Sequence, residues 1–166
     1  DFSRKGLDRA ILGISHLLKQ NISATLLVLG DDNKGPYEKI IKELSLNDRV
    51  IFLGPRKDVA SFMKSSHLLV HPAREEAAGN IIIEALVSGL PSLVSSEVGF
   101  STEVLKHKSG MVVEGEFKQE RFNFLLEESL SYEKLTSVRE TIKPLAGNNY
   151  FYSRFNFVAD FIEEAF

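Results

Sequence analysis

Short, continuous apolar runs alternate along this chain with stretches in which apolar residues recur at helical spacing. The apolar runs end in turn residues and predict buried strands: Ala24–Gly30, Val50–Gly54, His67–His71, Pro91–Ser95 and Gly110–Val113. The periodic stretches predict the helices between and around them: Leu7–Leu18, Pro36–Leu44, Asp58–Ser65, Gly79–Ser88 and Ser101–His107. From Phe117 the pattern is helical to the end of the chain, with a break at Pro144–Gly147. The late aromatic residues are interpreted as helix core contacts: Phe151, Phe155, Phe157 and Phe161.

Strands that alternate with helices form βαβ units, which build parallel sheets. The predicted fold class is therefore α/β: a Rossmann-like parallel sheet with helices on both faces and a helical C-terminal tail. Ligands of such sheets bind beyond the carboxyl ends of the strands. The turns at those ends are expected along one edge of the sheet: 30–33, 54–57, 71–80 and 95–101. The candidate chemistry lies in these turns.

Composition narrows the function classes. The 166 residues are 43% hydrophobic and 26% charged, which is ordinary for one soluble globular domain. A formal net charge of −3 argues against nucleic-acid binding through a broadly basic surface. The chain has no cysteine, so disulfides and cysteine metal sites are excluded. No apolar run approaches the roughly 20 residues that cross a bilayer.

The turn EAAGN precedes the predicted helix Gly79–Ser88. A helix N-terminus carries unpaired N–H groups and a partial positive charge, and small residues let a phosphate approach that backbone closely. Helix–sheet packing explains small residues here equally well. The chain has no GxGxxG sequence after its first strand and no Walker sequence, so the usual dinucleotide and P-loop motifs are absent.

Two carboxylates, Glu76 and Glu84, flank this turn. If Glu84 lies inside the helix and Glu76 just before it, eight residues at 1.5 Å rise place them roughly 12 Å apart along the axis. This exceeds the ~5 Å and ~6.5–9.5 Å separations of glycosidase acid pairs, so a nucleophile–acid pair is disfavoured. Two acids on either side of a bound anion suit a nucleoside diphosphate sugar, because each can accept hydrogen bonds from the hydroxyls that flank the diphosphate. In the alternative without a ligand, Glu84 is a solvated acid on the helix surface and Glu76 interacts with the dipole at the helix N-terminus. Glu84, however, lies in an apolar series, where burial without a partner is costly.

The segment SRKG supplies two adjacent cations, Arg4 and Lys5, before the first helix. An Arg fork and a Lys point charge suit phosphate, although such surface pairs are common. His71 closes a predicted strand at the same edge and is either a donor to substrate or a structural histidine. The other histidines lack ligand spacing, so we expect no metal site.

Taken in order, these motifs resemble the family 4 retaining glycosyltransferases. The likeness rests on SRKG, a strand ending in Gly-Asp, VIFLGPRKDV, and an E-x₇-E motif that runs into EALVSGLPSLVS. It covers about residues 1–113 and is similar to the nucleotide-binding C-terminal half of the two-domain GT-B fold. The forms DFSRKGLDRAI and HPAREEAAGNIIIEA resemble the bacterial branch that adds glucose to heptose in the lipopolysaccharide core.

The resemblance implies roles for the matched positions. The expected catalytic residues are Arg4 and Lys5, which would neutralise the donor diphosphate, and Glu76, which would contact hydroxyls of the transferred sugar. The expected UDP-sugar-binding residues are Gly54 and Arg56 at the base, Gly79, Asn80 and Ile81 through backbone N–H groups, and Glu84 at the ribose hydroxyls. Such enzymes are metal-independent and need no cofactor besides the sugar donor.

The family has a strand directly before SRKG and an N-terminal acceptor-binding domain, and this chain begins too late for either. Residues 1–166 are therefore expected to be a single nucleotide-sugar-binding domain, inactive alone, that meets its glycan or lipopolysaccharide acceptor through the missing domain. The resemblance also implies cytoplasmic placement, peripheral at the inner face of the membrane.

Two other interpretations stay open at this point. Epimerases and phosphorylases share related lobes, so the chain could serve one of those reactions. It could also be a nucleotide-binding or membrane-docking module without catalysis, in which Arg4, Lys5, Arg56 and Lys57 meet an anionic lipid surface.

Overall fold

A computed structural model describes residues 1–147, which form an α/β domain; the late aromatic residues 151–161 lie outside them. The strands are β1 Leu26–Leu29, β2 Val50–Gly54, β3 Leu69–His71, β4 Ser92–Ser95 and β5 Gly110–Val113. The helices are α1 Leu7–Lys19, α2 Gly35–Glu43, α3 Val59–Ser65, α4 Asn80–Val87, α5 Ser101–Lys106, α6 Gln119–Ser129 and α7 Tyr132–Ile142. Each predicted strand and helix before Phe117 is present, with ends within a few residues of the prediction. The helical stretch predicted from Phe117 divides into α6 and α7 at 130–131, a break that the pattern did not predict.

All strand pairs are parallel, as the sequence predicts, but they form two sheets. Strand β1 pairs with β2, and β4 pairs with both β3 and β5. Among residues 1–147, one edge of β1 and one edge of β3 have no strand beside them. A cleft of about 880 Å³ lies between α1, β1, α3 and β3 and is lined mainly by apolar side chains. The pattern of apolar runs does not predict that the strands form two sheets separated by this cleft.

Alternating residues of the three-stranded sheet face two different helical layers. Leu93 and Val113 belong to a large core with α1 and α6, whereas Val94 and Val112 pack with residues of α4 and α5. Successive strand residues point to opposite faces, so helices cover both sides of this sheet. Gly13 of α1 permits the close approach of α6, because a Cβ there would lie 2.7 Å from a methyl carbon of Leu126.

Two local features determine where the candidate site lies: the start of α4 and the segment before α1. Helix α4 starts at Asn80, and Gly79 caps it in the left-handed conformation at φ 81°. The segment before α1 crosses the carboxyl edge of the strands. At one end the Phe2 amide donates to Asp32, which follows β1. At the other end the Arg4 carbonyl accepts from the amide of Arg74, which follows β3. Within the described residues, none of the helices is both long and apolar enough to cross a membrane.

Candidate functional site

The SRKG segment lies directly against the turn that follows β3. Gly6 has φ 73°, and a Cβ on it would lie 2.0 Å from the carbonyl oxygen of Pro72. Only glycine combines this backbone conformation with so close an approach. Gly6 therefore fixes the distance between the basic pair and the acidic turn.

An ion pair holds the same two segments together. The Arg74 guanidinium donates to both carboxylate oxygens of Asp8, at 2.8 and 2.6 Å, and to the Ser3 carbonyl at 2.8 Å. The pKa of Asp8 is lowered mainly because its carboxylate accepts these bonds from Arg74. Arg9 donates to the carbonyls of Pro72 and Ala73, both at 3.1 Å. Sequence reasoning missed these residues, since nothing local links positions 66 residues apart.

Lys5 and Glu76, both predicted from the sequence, are in direct contact. The Lys5 ammonium donates to Oε2 of Glu76, and the two side chains are 39% and 15% exposed. Burial raises the pKa of Glu76, but the hydrogen bond and charge of Lys5 outweigh burial, so the net shift is downward. Glu76 is thus an ionised, largely enclosed carboxylate at the carboxyl edge of the sheet.

The backbone at Glu76 differs from the geometry assumed above. Glu76 forms an isolated parallel bridge with Val98; its amide donates to Glu97 O at 3.1 Å, and its carbonyl accepts from Gly99 N at 2.9 Å. Helix α4 begins four residues later. The 12 Å estimate assumed a position just before the helix, so it does not describe the separation of Glu76 from Glu84.

His71 ends β3 beside this pair. It is 8% exposed, and its Nε2 lies 3.9 Å from Oε2 of Glu76. This nitrogen is buried and has no hydrogen-bond partner among residues 1–147. Burial and then the charge of Lys5 lower the pKa of His71 to about 4, against the opposing effect of Glu76. The ring is therefore neutral at pH 7, and its Nε2 has no structural hydrogen-bond partner among residues 1–147.

The start of α4 keeps free backbone donors near Glu76. The N–H groups of Gly79, Asn80 and Ile81 donate to no backbone carbonyl of the described residues, whereas the next amide, Ile82, bonds back to Gly79 O at 2.9 Å. The preceding turn is held by the bond from the Phe100 amide to Ala78 O at 2.8 Å. The predicted donors therefore lie at a fixed helix N-terminus, where an anion is favoured.

Glu84 and the predicted base-binding residues lie outside the Lys5–Glu76 cluster. Glu84 is partly exposed beside a shallow depression formed with α3, and within the described range its carboxylate has no hydrogen-bond or ion-pair partner. Its carboxylate is thus partly buried without a protein partner among residues 1–147, and its expected role at the ribose hydroxyls stays a prediction. Gly54 ends β2 at φ 70°. Arg56 forms a two-bond ion pair with Asp58, at 2.9 and 2.8 Å.

Among residues 1–147, no three His, Cys, Asp or Glu side chains lie together in a position to hold a metal ion. The site therefore consists of the contacting side chains of Lys5, Glu76 and His71, the backbone-tethered Arg4, and the free N–H groups of α4. Glu84, Gly54 and Arg56 remain predictions from sequence position.

Comparison with known proteins identifies the family of this chain. The profile of "Glycosyl transferases group 1" matches residues 2–143. Lipopolysaccharide glucosyltransferase WaaG of Escherichia coli K12 is 35% identical over 136 residues, which cover 81% of this chain and 36% of WaaG. The crystal structure of WaaG, a glycosyltransferase involved in lipopolysaccharide biosynthesis, superposes with a TM-score of 0.86 at 33% identity, covering 98% of this chain and 44% of that one.

A third match concerns the fold alone. Alr3699/HepE of Anabaena, solved in complex with UDP-glucose, has a TM-score of 0.75 at 22% identity and covers 98% of this chain and 46% of that chain. This chain spans less than half the length of each of these relatives. The superposition on WaaG confirms the predicted Rossmann-like fold, the C-terminal half of a GT-B glycosyltransferase. From its sequence, its fold and its matched motifs, this chain belongs to the glycosyl transferases group 1 family.

Proposed function

We propose that this chain is the donor-binding domain of a retaining glycosyltransferase that transfers glucose from UDP-glucose to the lipopolysaccharide core or a similar glycan. Membership of the group 1 family and the 35% identity to a lipopolysaccharide glucosyltransferase support it. The observation that carries it is the placement of a cation, an ionised acid and free helix N–H groups on one edge of the sheet.

Each of these groups has a task in the transfer. The bond from the anomeric carbon to the diphosphate oxygen breaks, the same carbon bonds to a hydroxyl oxygen of the acceptor, and that hydroxyl releases its proton. Negative charge develops on the departing UDP. Arg4, Lys5 and the N–H groups that begin α4 stabilise this charge, which is the largest contribution that a preorganised site can make. Glu76 accepts hydrogen bonds from hydroxyls of the sugar. Stabilisation by these groups requires no metal ion or other cofactor.

The nucleoside end of the donor is assigned to Glu84, which would accept from the ribose hydroxyls, and to Gly54 and Arg56 near the base. These assignments rest on the order of the motifs. In the structure Arg56 is neutralised by Asp58. This pairing leaves one fewer unpaired cation for the lipid-binding surface of a membrane-docking module. Peripheral membrane placement remains part of the proposal for the whole protein.

The domain is proposed to act with further polypeptide. The free edges of β1 and β3 flank the apolar cleft, and residues 1–6 lie across its carboxyl end. A strand placed in this cleft, parallel to both neighbours, would join the two sheets into one and lead directly into SRKG. The acceptor would bind a separate N-terminal domain across the same edge, so the chain alone is expected to bind donor without transferring sugar.

The test is saturation-transfer NMR of this chain with UDP-glucose, UDP-galactose, UDP-GlcNAc, GDP-mannose and ADP-glucose. Transfer to UDP compounds only, lost in Glu76→Ala but kept in the matched control Glu75→Ala, is the expected result. Glu75 is an exposed acid beside Glu76. Equal transfer to all five compounds, or none, would contradict a UDP-sugar site.

A further inference from the structure

His71 presents a buried nitrogen to Glu76 that nothing else in the described structure uses. Its Nε2 is 3.9 Å from Oε2 of Glu76, too far for a hydrogen bond. Buried polar atoms without a partner are rare, and each calls for an explanation. The residue's backbone is well held, because Arg9 binds the carbonyls of the two residues that follow it.

Lys5 occupies the same carboxylate oxygen that His71 faces. The proposed function requires Lys5 to approach the donor diphosphate. Its side chain is 39% exposed on a flexible four-carbon stem, so it can leave Glu76 for a ligand at the edge of the sheet. Glu76, only 15% exposed, would then lose its hydrogen-bond donor. An enclosed carboxylate without a donor is strongly disfavoured.

We propose that His71 is a positioning residue that replaces Lys5 at Glu76: when Lys5 moves to the diphosphate, the Nε2–H of His71 donates to Oε2 of Glu76. This inference rests on the proposed function. A movement of about 1 Å converts the present separation into a normal hydrogen bond. The replacement keeps Glu76 oriented for the sugar while Lys5 neutralises the phosphates.

The neutral state of the ring suits this task. Burial holds the pKa of His71 at about 4, so the imidazole carries one N–H and adds no charge beside the diphosphate. The ring also borders the apolar cleft. If His71 only filled space there, phenylalanine would replace it without affecting ligand binding, and that contrast provides the test.

The experiment is calorimetry of UDP binding to the chain in a double-mutant cycle of His71→Phe and Glu76→Gln. We expect His71→Phe to weaken UDP binding about tenfold in the parent chain, the cost of leaving Glu76 without a donor. In the Glu76→Gln background, where no charge is left unpaired, the same change should alter affinity by about twofold or less. His71→Gln, which keeps an amide donor near the Nε2 position, should restore most of the loss. His67→Phe, at an exposed histidine before β3, is the control and should bind UDP like the parent.

The outcomes separate the inference from the function on which it rests. UDP binding by the parent with no effect of His71→Phe, or an equal loss in both backgrounds, would overturn the role of His71 and leave the donor site standing. Failure of the parent to bind UDP would overturn both. Proton–nitrogen NMR of the parent needs no substitution: the His71 Nε2–H resonance should move downfield on adding UDP but not uridine. An unchanged resonance with UDP bound would refute the exchange.

Discussion

Replacing Gly6 by alanine tests how the basic pair is held at the site. Gly6 and Gly115 have nearly the same backbone conformation, at φ 73° and 72°. A Cβ on Gly6 would lie 2.0 Å from Pro72 O, whereas a Cβ on Gly115 would have nothing within 4 Å. Gly115→Ala is therefore a matched control that reports backbone strain without the close approach.

The two substitutions should differ by a predictable amount. Left-handed backbone costs a non-glycine residue about 1–2 kcal/mol, and both variants bear that cost. In Gly6→Ala the SRKG segment must also move about 1 Å away from Pro72, since carbon and oxygen do not approach to 2.0 Å. That movement strains the 2.7 Å bond from the Arg74 amide to Arg4 O and the bonds of Arg9, each worth about 1 kcal/mol. We expect a total of about 4–5 kcal/mol for Gly6→Ala and about 1–2 kcal/mol for Gly115→Ala.

Urea unfolding followed by far-ultraviolet circular dichroism measures both free energies of unfolding, and calorimetry with UDP measures the site. Gly6→Ala should lose UDP affinity in addition to stability, because Arg4 and Lys5 move with the segment. Gly115→Ala should retain it. Equal losses of stability in the two variants, or normal UDP binding by Gly6→Ala, would refute the coupling described here.

Three further predictions concern His71, the Arg74–Asp8 pair and the start of α7. The pKa of His71 falls from 6.5 to about 4 on folding. The stability that the neutral, buried ring contributes is therefore complete above pH 6.5 and is lost as the pH falls through 4. In urea unfolding at a series of pH values, His71→Gln should remove on the order of 3 kcal/mol of this acid dependence. Arg74→Gln should lower the free energy of unfolding by about 1 kcal/mol at low salt, a modest loss because the ion pair with Asp8 is partly exposed. An unchanged value would contradict the role of this ion pair in holding the two segments together. Ser131 accepts a bond from the Lys134 amide at 3.3 Å, so thermal unfolding should show that Ser131→Ala costs about 0.5–1 kcal/mol without changing UDP affinity.

The secondary structure could be predicted because buried strands here are almost continuously apolar and the helices between them keep a regular period. Strands such as β2, whose apolar run ends at Gly54, were located within a residue or two. The apolar pattern alone does not predict the gap beside β1, because it does not say which strands are neighbours; the expectation of an absent strand before SRKG came from the family resemblance. The partly exposed position of Glu84 depends on how α4 faces α3, which an apolar series alone does not determine.

Some residues of the site could be predicted from the sequence motifs, whereas other contacts are evident only in the structure. Lys5 and Glu76 were each predicted as site residues, and the structure brings them into contact. The roles of Arg74 and Asp8 arise from a long-range ion pair with no local signal. The bridge of Glu76 to Val98 was also unforeseen, because a single bridge outside a strand leaves no periodic pattern.

The central claim is that UDP-glucose binds at the carboxyl edge of the sheet, between the SRKG segment and the start of α4. Amide proton–nitrogen NMR of the chain during a titration with UDP-glucose tests it most directly. The largest shift changes are expected at Lys5, Glu76, Gly79, Asn80 and Ile81, with little change in α7, which packs against Leu86 of α4. Changes centred on the apolar cleft or on α7, with none at the start of α4, would contradict it.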